Sequence, residues 1–386
     1  MDNAGGSQCL GAVADAVRAH LLERNVQLGA SYAVSVEASV RVHEGRRAVA
    51  RLVGAADDAE VVLGPSTTQL LANLALAMST QLQRGDEIVV TQADHESNIG
   101  PWRRLERQGV VLREWPIHRA SHTLRLEELE PLLGPRTRLV CMTHCSNVIG
   151  SIHDVAAVAR RVHAAGARLV VDGVAFAPHR RVDVGALGAD YYVFSLYKVY
   201  GPHVAALVAP RRHLVELDNI NHHFLADEIP YKLQPGNVCF ELVASLPAME
   251  SYLLGLAEPS SSHGEALDLA FASIAAHEAA LAEPLLAFLR QRSDVTLLGD
   301  PNADAARRVP TISFVPQRRT PEEVVRVVDG WGIGVRHGDF YARRLAEVLG
   351  LRDRGGVVRI SMVHYNTPEE VQRVVEALSS ALGPPG

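Results

Sequence analysis

Two stretches decide the fold, Val170-Val171-Asp172-Gly173 and, further along the chain, Ser195-Leu196-Tyr197-Lys198. The first completes the apolar run that begins at Arg168, and the second follows the apolar run Tyr191-Tyr192-Val193-Phe194. Short runs of this kind are typical of buried parallel strands, and ligands bind where the carboxyl ends of such strands meet. We therefore predict that Asp172, Ser195 and Lys198 face one cleft.

The residue types at these two strand ends indicate a cofactor. Between apolar strands, desolvation disfavours the ammonium form of Lys198 and lowers its pKa, as a lysine that forms a Schiff base requires. A nearby carboxylate such as Asp172 holds a pyridine nitrogen in its protonated form. Pyridoxal phosphate needs both partners. In most proteins a loop lysine is simply exposed and an aspartate simply caps a helix, so the argument rests on the flanking sequence.

The segment Asp190–Pro202, read as Asp-Tyr-Tyr-Val-Phe-Ser-Leu-Tyr-Lys-Val-Tyr-Gly-Pro, resembles the Schiff-base segment of class V aminotransferases. The nearest likeness is to the cysteine desulfurase-like and selenocysteine lyase-like branch, and it runs from Asp2 to Thr367. It implies the pyridoxal-phosphate-dependent transferase fold type I, an α/β fold. We expect a large domain with a mostly parallel sheet at residues 12–258. A smaller α+β C-terminal domain is expected at residues 264–386, joined by the N-terminal segment 1–11.

Composition favours small-molecule chemistry. The 386 residues are 47% hydrophobic, with a net charge of -6 and no basic cluster beyond short pairs, which argues against a nucleic-acid partner. No run approaches the roughly 20 apolar residues of a membrane span, and no basic segment precedes an apolar one at the N-terminus. We expect no membrane association and a cytoplasmic location. The cysteines are expected to be reduced, and since Cys141 and Cys145 lack a metal-type spacing, no metal site is expected.

A candidate phosphate site lies early in the chain. The apolar run Val61-Val62-Leu63 leads into the turn Gly64–Gln69 and then into an apolar helical pattern from Leu70 to Met78. Such a turn places amides and hydroxyls at the positive end of a helix dipole, where phosphate binds well, although ordinary helix caps have the same sequence. The resemblance implies that Thr67 and Thr68, beside Ser66 in this turn, hold the cofactor phosphate together with Ser195.

The resemblance also supplies residues around the cofactor ring. It places His95 over the ring, where a histidine can both hold the cofactor and act as an acid or base; otherwise a lone histidine at a strand end is more often structural. It implies that Asn147 approaches the phenolic oxygen of the cofactor and the substrate carboxylate. Two positions depart from the desulfurases, which have glutamine where this chain has Ala175 and histidine where it has Tyr197. Both changes alter the hydrogen bonds around the cofactor.

Further residues are assigned to the substrate and to a partner subunit by the same resemblance. Arg359 matches the arginine that grips an α-carboxylate with two bonds, which points to an amino-acid substrate. Gly6, in a segment along the mouth of the site, and Arg336 are also expected in the substrate pocket. Gly236 and Asn237 match a loop that crosses to the partner's cofactor phosphate, and so imply a homodimer with shared active sites. A plain surface loop is the alternative.

One absence refines the reaction. Desulfurases carry a loop cysteine shortly after an Arg-x-Gly, whereas residues 335–342 read Val-Arg-His-Gly-Asp-Phe-Tyr-Ala. Without that thiolate, we expect a lyase that removes sulfur from cysteine or a cysteine S-conjugate by Cα deprotonation and β-elimination. Epimerisation, transamination and decarboxylation-coupled oxidation of an amino acid remain alternatives. A non-catalytic interaction module is the alternative of another class, against which the presence of Lys198, Asp172 and Arg359 together argues.

Overall fold

A seven-stranded sheet forms the centre of the large domain in the computed structural model, which describes residues 1–258, 260 and 262–384. The strand order is β1-β7-β6-β5-β4-β2-β3. Strands β2 to β6 run parallel, and β7 is antiparallel to both β6 and β1. The predicted mostly parallel α/β sheet is confirmed. The strands are β1 (Val61–Gly64), β2 (Glu87–Thr91), β3 (Val111–Trp115), β4 (Thr137–Thr143), β5 (Arg168–Asp172), β6 (Tyr191–Ser195) and β7 (Ala205–Val208).

Both faces of this sheet are covered, which explains why β5 and β6 are continuous apolar runs. Along β5 the side chains alternate, since Leu169 and Val171 pack in one hydrophobic core and Val170 packs in the core on the other face. The covering helices are α1 (Gly11–Glu23), α2 (Ala33–Val53), α3 (Thr67–Met78), α4 (Gly100–Arg103), α5 (Leu126–Leu129), α6 (Val155–Ala164), α7 (Val184–Leu187), α8 (Arg211–Glu216), α9 (Phe240–Ala244) and α10 (Leu246–Leu254).

The C-terminal part forms a second sheet of four antiparallel strands in the order β10-β11-β9-β8. One face of this sheet packs on helices, which makes the domain α+β as predicted. Its strands are β8 (Val295–Leu298), β9 (Thr311–Pro316), β10 (Arg336–Gly338) and β11 (Val357–Ser361). Its helices are α11 (His263–Arg290), α12 (Pro321–Asp329), α13 (Arg343–Val348) and α14 (Pro368–Leu382).

Helix α11 connects the two domains. Near its start Leu267 and Phe271 pack in the core of the large domain, and near its end Leu285 and Leu289 pack in the core of the small one. By length and composition α11 is long and apolar enough to cross a membrane, but these side chains are buried inside the protein. The predicted boundary near residue 264 therefore falls at the start of a helix that both domains share.

Some local predictions need correction. The sequence pattern predicts one helix from Phe240 to Leu256, but the structure has two, which meet at Ser245. Pro247 lacks the N–H that would donate to the carbonyl of Val243 and continue the first helix. At the junction, the Ser245 hydroxyl donates to the carbonyl of Leu242 at 2.7 Å. The sequence pattern also predicts a helix from Glu37 to Val53, and in the structure this helix, α2, already begins at Ala33. The sequence pattern did not predict strands β7 and β10, the short helices α4, α5, α7, α8 and α13, or the C-terminal helix α14.

The functional side chains come from the carboxyl ends of the central parallel strands. The last residue of β4 pairs with the last residue of β5, so Thr143 lies beside Asp172, and Asp172 pairs with Val193 of β6. After β5 the chain turns at Gly173, where an added Cβ would lie 2.1 Å from the hydroxyl of Tyr192. Only glycine allows this close approach, which holds the ends of β5 and β6 together.

Candidate active site

A cavity of about 90 Å³ lies at the carboxyl ends of β4, β5 and β6. Ten residues that the sequence analysis assigned to the cofactor line it, and they are Ser66, Thr67, Thr68, His95, Asn147, Asp172, Ala175, Ser195, Tyr197 and Lys198. The structure therefore brings together side chains from five separate segments of the chain. Four further lining residues were not predicted, namely Ser97, Thr143, Cys145 and Val174.

Lys198 ends a short 3-10 turn, Leu196–Lys198, that follows β6 directly. Backbone hydrogen bonds fix this turn, since the N–H groups of Val199 and Gly201 both donate to the carbonyl of Leu196, at 2.8 and 3.0 Å. Burial and, to a smaller extent, the charge of Arg359 lower the pKa of Lys198 to about 8, while Asp172 and Asp2 oppose the shift. A large fraction of the amine is thus neutral near pH 8, as a nucleophilic lysine requires.

Composition strengthens the assignment of Lys198, because the chain contains only two lysines. The other, Lys232, is buried elsewhere and donates to the carbonyl of Val215 at 3.1 Å. This count is a sequence signal that the motif analysis did not use.

Asp172 is the last residue of β5 and is buried. Its Oδ1 accepts a hydrogen bond from the N–H of Val174 at 2.9 Å. Burial raises the pKa of Asp172 to about 6, while the Val174 hydrogen bond and the charge of Lys198 oppose that rise. The group is therefore largely a carboxylate at neutral pH, and it can balance a positive charge placed in the cavity.

His95 is held in one tautomer by its neighbours. Its Nδ1 accepts a hydrogen bond from the N–H of Ser97 at 3.1 Å, so in the neutral ring the proton is on Nε2. Burial lowers the pKa of His95 to about 4, and the charges of Lys198 and Arg359 act in the same direction. The loop that carries His95 is anchored by Asp94, which accepts hydrogen bonds from Asn98 at 2.7 Å and from the N–H of Thr143 at 3.1 Å.

Hydroxyl groups line the end of the cavity beside α3. Ser66 is the N-cap of α3, where its Oγ accepts from the N–H of Gln69 at 3.1 Å. Thr67 Oγ1 and Ser195 Oγ lie 2.7 Å apart. A helix N-terminus with converging hydroxyls suits a phosphate group. The predicted phosphate residues thus lie together, although their role stays a prediction.

Arg359 is 2% exposed and lies next to Asn147, which lines the cavity. Its Nη1 donates to the carbonyl of Asn147 at 3.0 Å, and its Nη2 donates to Oδ1 of Asp2 at 3.1 Å. The ring of Phe340 covers the guanidinium with its centroid 3.7 Å from Cζ. Burial lowers the pKa of Arg359 to about 10, which leaves it charged at neutral pH. A buried cation held in this way is suited to a carboxylate.

The remaining predicted residues lie around the cavity without lining it. Gly6 packs against the ring of Tyr197, which an added Cβ would approach to 3.3 Å. Arg336 is largely exposed. Gly236 and Asn237 are also exposed, and Asn237 lines a neighbouring cavity of about 320 Å³ on the other side of the Gly64–Pro65 turn. One chain therefore does not place Gly236 or Asn237 inside its own cofactor cavity.

The two positions that depart from the desulfurases both face the cavity. Ala175 offers no hydrogen-bonding side chain there. The ring of Tyr197 stacks on His203, with the two ring centroids 4.8 Å apart and the planes 9° from parallel. Aromatic stacking thus replaces the hydrogen bonding of a histidine at this wall of the cavity.

No cysteine in the described chain resembles a sulfur-accepting thiolate near the site. Cys145 lines the cavity, but burial raises the pKa of its thiol to about 12, and Sγ donates to the carbonyl of Gly150 at 3.4 Å. In the loop 335–342, Tyr341 has its ring 5.4 Å from that of His95. Cys9 and Cys239 are exposed and do not line this cavity.

The family follows from a comparison with known proteins. The model of the class-V aminotransferases matches residues 1–226 and 261–374. The chain belongs to the class-V aminotransferase family. Members of this family use pyridoxal 5'-phosphate, so the chain is a pyridoxal-phosphate-dependent enzyme of fold type I, which confirms the predicted family and cofactor.

Two relatives and one solved structure give the range of similar proteins. The chain is 41% identical to the aminotransferase-like protein FGM3 of Gibberella zeae, over 99% of this chain and 94% of that protein. It is 34% identical to the cysteine desulfurase-like protein ustD of Aspergillus flavus, over 88% of this chain and 77% of that protein. The crystal structure of the cysteine desulfurase CsdA from Escherichia coli covers 99% of this chain and 94% of its own, with 26% identity and a TM-score of 0.84.

The residues present fit the cofactor of the family. Lys198 has the lowered pKa that Schiff-base formation needs, and the buried Asp172 carboxylate suits a protonated pyridine nitrogen. The hydroxyls of Thr67 and Ser195 would hold the phosphate. A second lysine at the cavity is absent among the described residues, so Lys198 is the residue that would carry the cofactor.

Proposed function

We propose that this enzyme is a C–S lyase that removes a thiol from cysteine or a cysteine S-conjugate by β-elimination. One observation carries the proposal: Lys198 and Asp172 line one cavity and the buried Arg359 contacts its wall at Asn147, while the described residues place no reactive thiol there. The relatives named as cysteine desulfurases or desulfurase-like proteins support chemistry at the C–S bond of cysteine. The missing loop cysteine argues against transfer of the sulfur to the protein.

The bound cofactor supplies an electron sink that acidifies the Cα–H bond of the amino acid. Lys198 Nζ accepts the Cα proton, for which a pKa of about 8 is well matched to neutral pH. The Cβ–S bond breaks with its electron pair on sulfur, and the thiolate leaves and takes a proton. Release of 2-aminoacrylate and its hydrolysis by one water give pyruvate and ammonia, so no oxidant or reductant is needed.

The other residues position the substrate. Arg359 pairs with the α-carboxylate through two hydrogen bonds. These two bonds fix the orientation of the substrate and so place its Cα–H bond relative to Lys198. His95 is neutral with its proton on Nε2, so it can donate a hydrogen bond into the cavity. These roles assign an amino acid as the substrate, in line with the sequence prediction.

We also propose a homodimer with shared active sites. Gly236 and Asn237 are exposed and lie outside the cavity of their own chain, which supports their use in a second subunit. Large apolar side chains at the end of α1 and the start of α2 are exposed, and such patches mark interfaces. They include Leu21, Leu22, Tyr32, Val36 and Val40. Sedimentation velocity measures the assembly; a monomer at micromolar concentration would contradict it.

The test of the function is incubation of the cofactor-loaded protein with L-cysteine and with a panel of cysteine S-conjugates. Pyruvate, ammonia and thiol are quantified, together with exchange of the α-proton with deuterium from solvent. We expect pyruvate and thiol in equal amounts. Deuterium exchange without pyruvate would contradict the lyase proposal and would favour epimerisation or transamination.

A further inference from the structure

The N-terminus of the chain reaches the buried arginine of the active site. Met1 accepts a hydrogen bond from the N–H of Ser361 at 2.9 Å, and Asp2 forms a parallel bridge with the same residue of β11. Asn3 and Ala4 add hydrogen bonds to Ser361 at 3.1 and 2.8 Å. These contacts hold the first residues as an extension of the small sheet, and they fix the side chain of Asp2 close to Arg359.

Asp2 lies between two arginines. Arg336 and Arg359 are direct partners on neighbouring strands, so their side chains share one face of the sheet. Oδ1 of Asp2 is 3.1 Å from Nη2 of Arg359, and Oδ2 is 3.9 Å from Nε of Arg336. The two cations differ in surroundings, because the side chain of Arg359 is 3% exposed and that of Arg336 is 58% exposed. One carboxylate therefore balances a buried and an exposed cation.

Only part of the hydrogen-bonding capacity of the Arg359 guanidinium is used within the protein. Nη1 is held by the carbonyl of Asn147 and Nη2 by Asp2, while Nε is buried and has no hydrogen-bond partner among the described residues. Phe340 covers one face of the guanidinium, so a ligand binds in its plane. A carboxylate that takes two bonds in this plane uses Nη2 together with either Nε or Nη1. Asp2 already accepts a hydrogen bond from one of the two N–H groups of Nη2, so a second carboxylate on this nitrogen lies close to that of Asp2.

We infer that Asp2 is an internal carboxylate that occupies the clamp of Arg359 until the substrate carboxylate displaces it onto Arg336. This inference rests on the proposed role of Arg359 in binding an amino acid. Two carboxylates on one Nη2 repel each other, so the incoming group and Asp2 compete for this nitrogen. Arg336 is already within 3.9 Å of Asp2 and gives the displaced side chain a second cation. Asp2 thus weakens the binding of any ligand whose carboxylate pairs with Arg359.

The direct experiment measures binding of propionate to the cofactor-loaded protein by isothermal titration calorimetry. Propionate has a carboxylate but neither an amine nor a leaving group, so its binding does not depend on turnover. We expect Asp2→Asn to tighten propionate binding about tenfold, in line with the loss of one charge-assisted competitor. Propanamide, the neutral probe of the same shape, should show no such gain. Unchanged or weaker propionate binding in Asp2→Asn, or no binding to either protein, would overturn the inference.

Two further variants separate exchange from a general charge effect. Asp15→Asn removes an exposed carboxylate of α1 and should leave propionate binding unchanged. Arg336→Gln should weaken propionate binding when Asp2 is present, because the displaced side chain loses its second cation, and should have little effect in the Asp2→Asn background. If Arg336→Gln weakened propionate binding equally with Asp2 present and in the Asp2→Asn background, that result would contradict the displacement of Asp2 onto Arg336. The proposed lyase activity can fail on the cysteine panel without affecting either result.

Discussion

Two parts of the site differ from the desulfurases to different extents. One is the wall of the cavity in the large domain, and the other is the loop 335–342 of the small domain. On the wall, Lys198 and Asp172 stand where pyridoxal-phosphate chemistry needs them, and the hydroxyls of Thr67 and Ser195 meet at 2.7 Å. In the loop, Phe340 covers Arg359 and Tyr341 is 72% exposed, where a desulfurase has a thiol nearby. The lysine and aspartate that the cofactor needs are thus present, whereas this loop contains no cysteine.

Phe340 and Tyr341 both have a positive φ, at 53° and 61°, which is uncommon for aromatic residues. Hydrogen bonds hold this backbone in place, since the Phe340 carbonyl accepts from Asn147 at 3.0 Å and the Tyr341 carbonyl accepts from the N–H of Glu96 at 2.8 Å. The loop is therefore docked on the cavity as a built part of the site.

The largest effect is expected for Lys198→Ala. This change removes the amine that would bind the cofactor and move the Cα proton, so activity should fall by at least about 10⁴-fold and the visible absorbance of bound cofactor should be lost. Lys232→Met is the matched control, because it removes the only other lysine and leaves the cavity intact. Visible absorbance retained at full intensity in Lys198→Ala would contradict the assignment.

Asp172→Asn comes next. The amide keeps the size of the side chain but loses the charge that stabilises a protonated pyridine nitrogen, and we expect kcat to fall by about 10²- to 10³-fold. The cofactor should still bind through Lys198 and the hydroxyls. Steady-state kinetics measures the fall in kcat, and titration of the apoprotein with cofactor, followed by absorbance, measures cofactor binding separately. A kcat within a factor of two of the wild type would remove Asp172 from the chemistry.

Arg359→Gln tests the electrostatic link between the loop side and the wall of the cavity. The charge of Arg359 lowers the pKa of Lys198, which is about 8, so its removal should raise that pKa. Loading of the cofactor requires the neutral amine, so the rate of loading onto the apoprotein should rise with pH and level off above about pH 8 in the wild type. In Arg359→Gln the rise should shift to higher pH. A shift to lower pH would have the wrong sign.

Cys145→Ala should have the smallest effect. A thiol with a pKa of about 12 is not a nucleophile at neutral pH, so we expect the rate of pyruvate formation to stay within about twofold of the wild type. The rate is measured with the same cysteine S-conjugate for both proteins. Loss of activity without loss of bound cofactor, together with additional sulfur on Cys145 of the wild type during turnover, would contradict this expectation.

Much of this architecture could be predicted from local sequence. The runs that end at Asp172 and Ser195 are buried strands because their apolar residues are continuous, and the motif around Lys198 brought the family likeness with it. Residues such as Ser97 and Thr143 were missed because single serines and threonines carry no pattern, although both lie close to predicted site residues, His95 and Asn147. The contact of Asp2 with Arg359 spans nearly the whole chain, and no local pattern encodes it.

The most direct test of the central claim is the fate of sulfur during turnover of L-cysteine. Intact-protein mass spectrometry is paired with quantification of pyruvate and alanine in the same reaction. We predict pyruvate with free sulfide, no alanine, and a protein of unchanged mass. Alanine together with a protein that carries additional sulfur would contradict the account, because it would show a persulfide formed without the loop thiol.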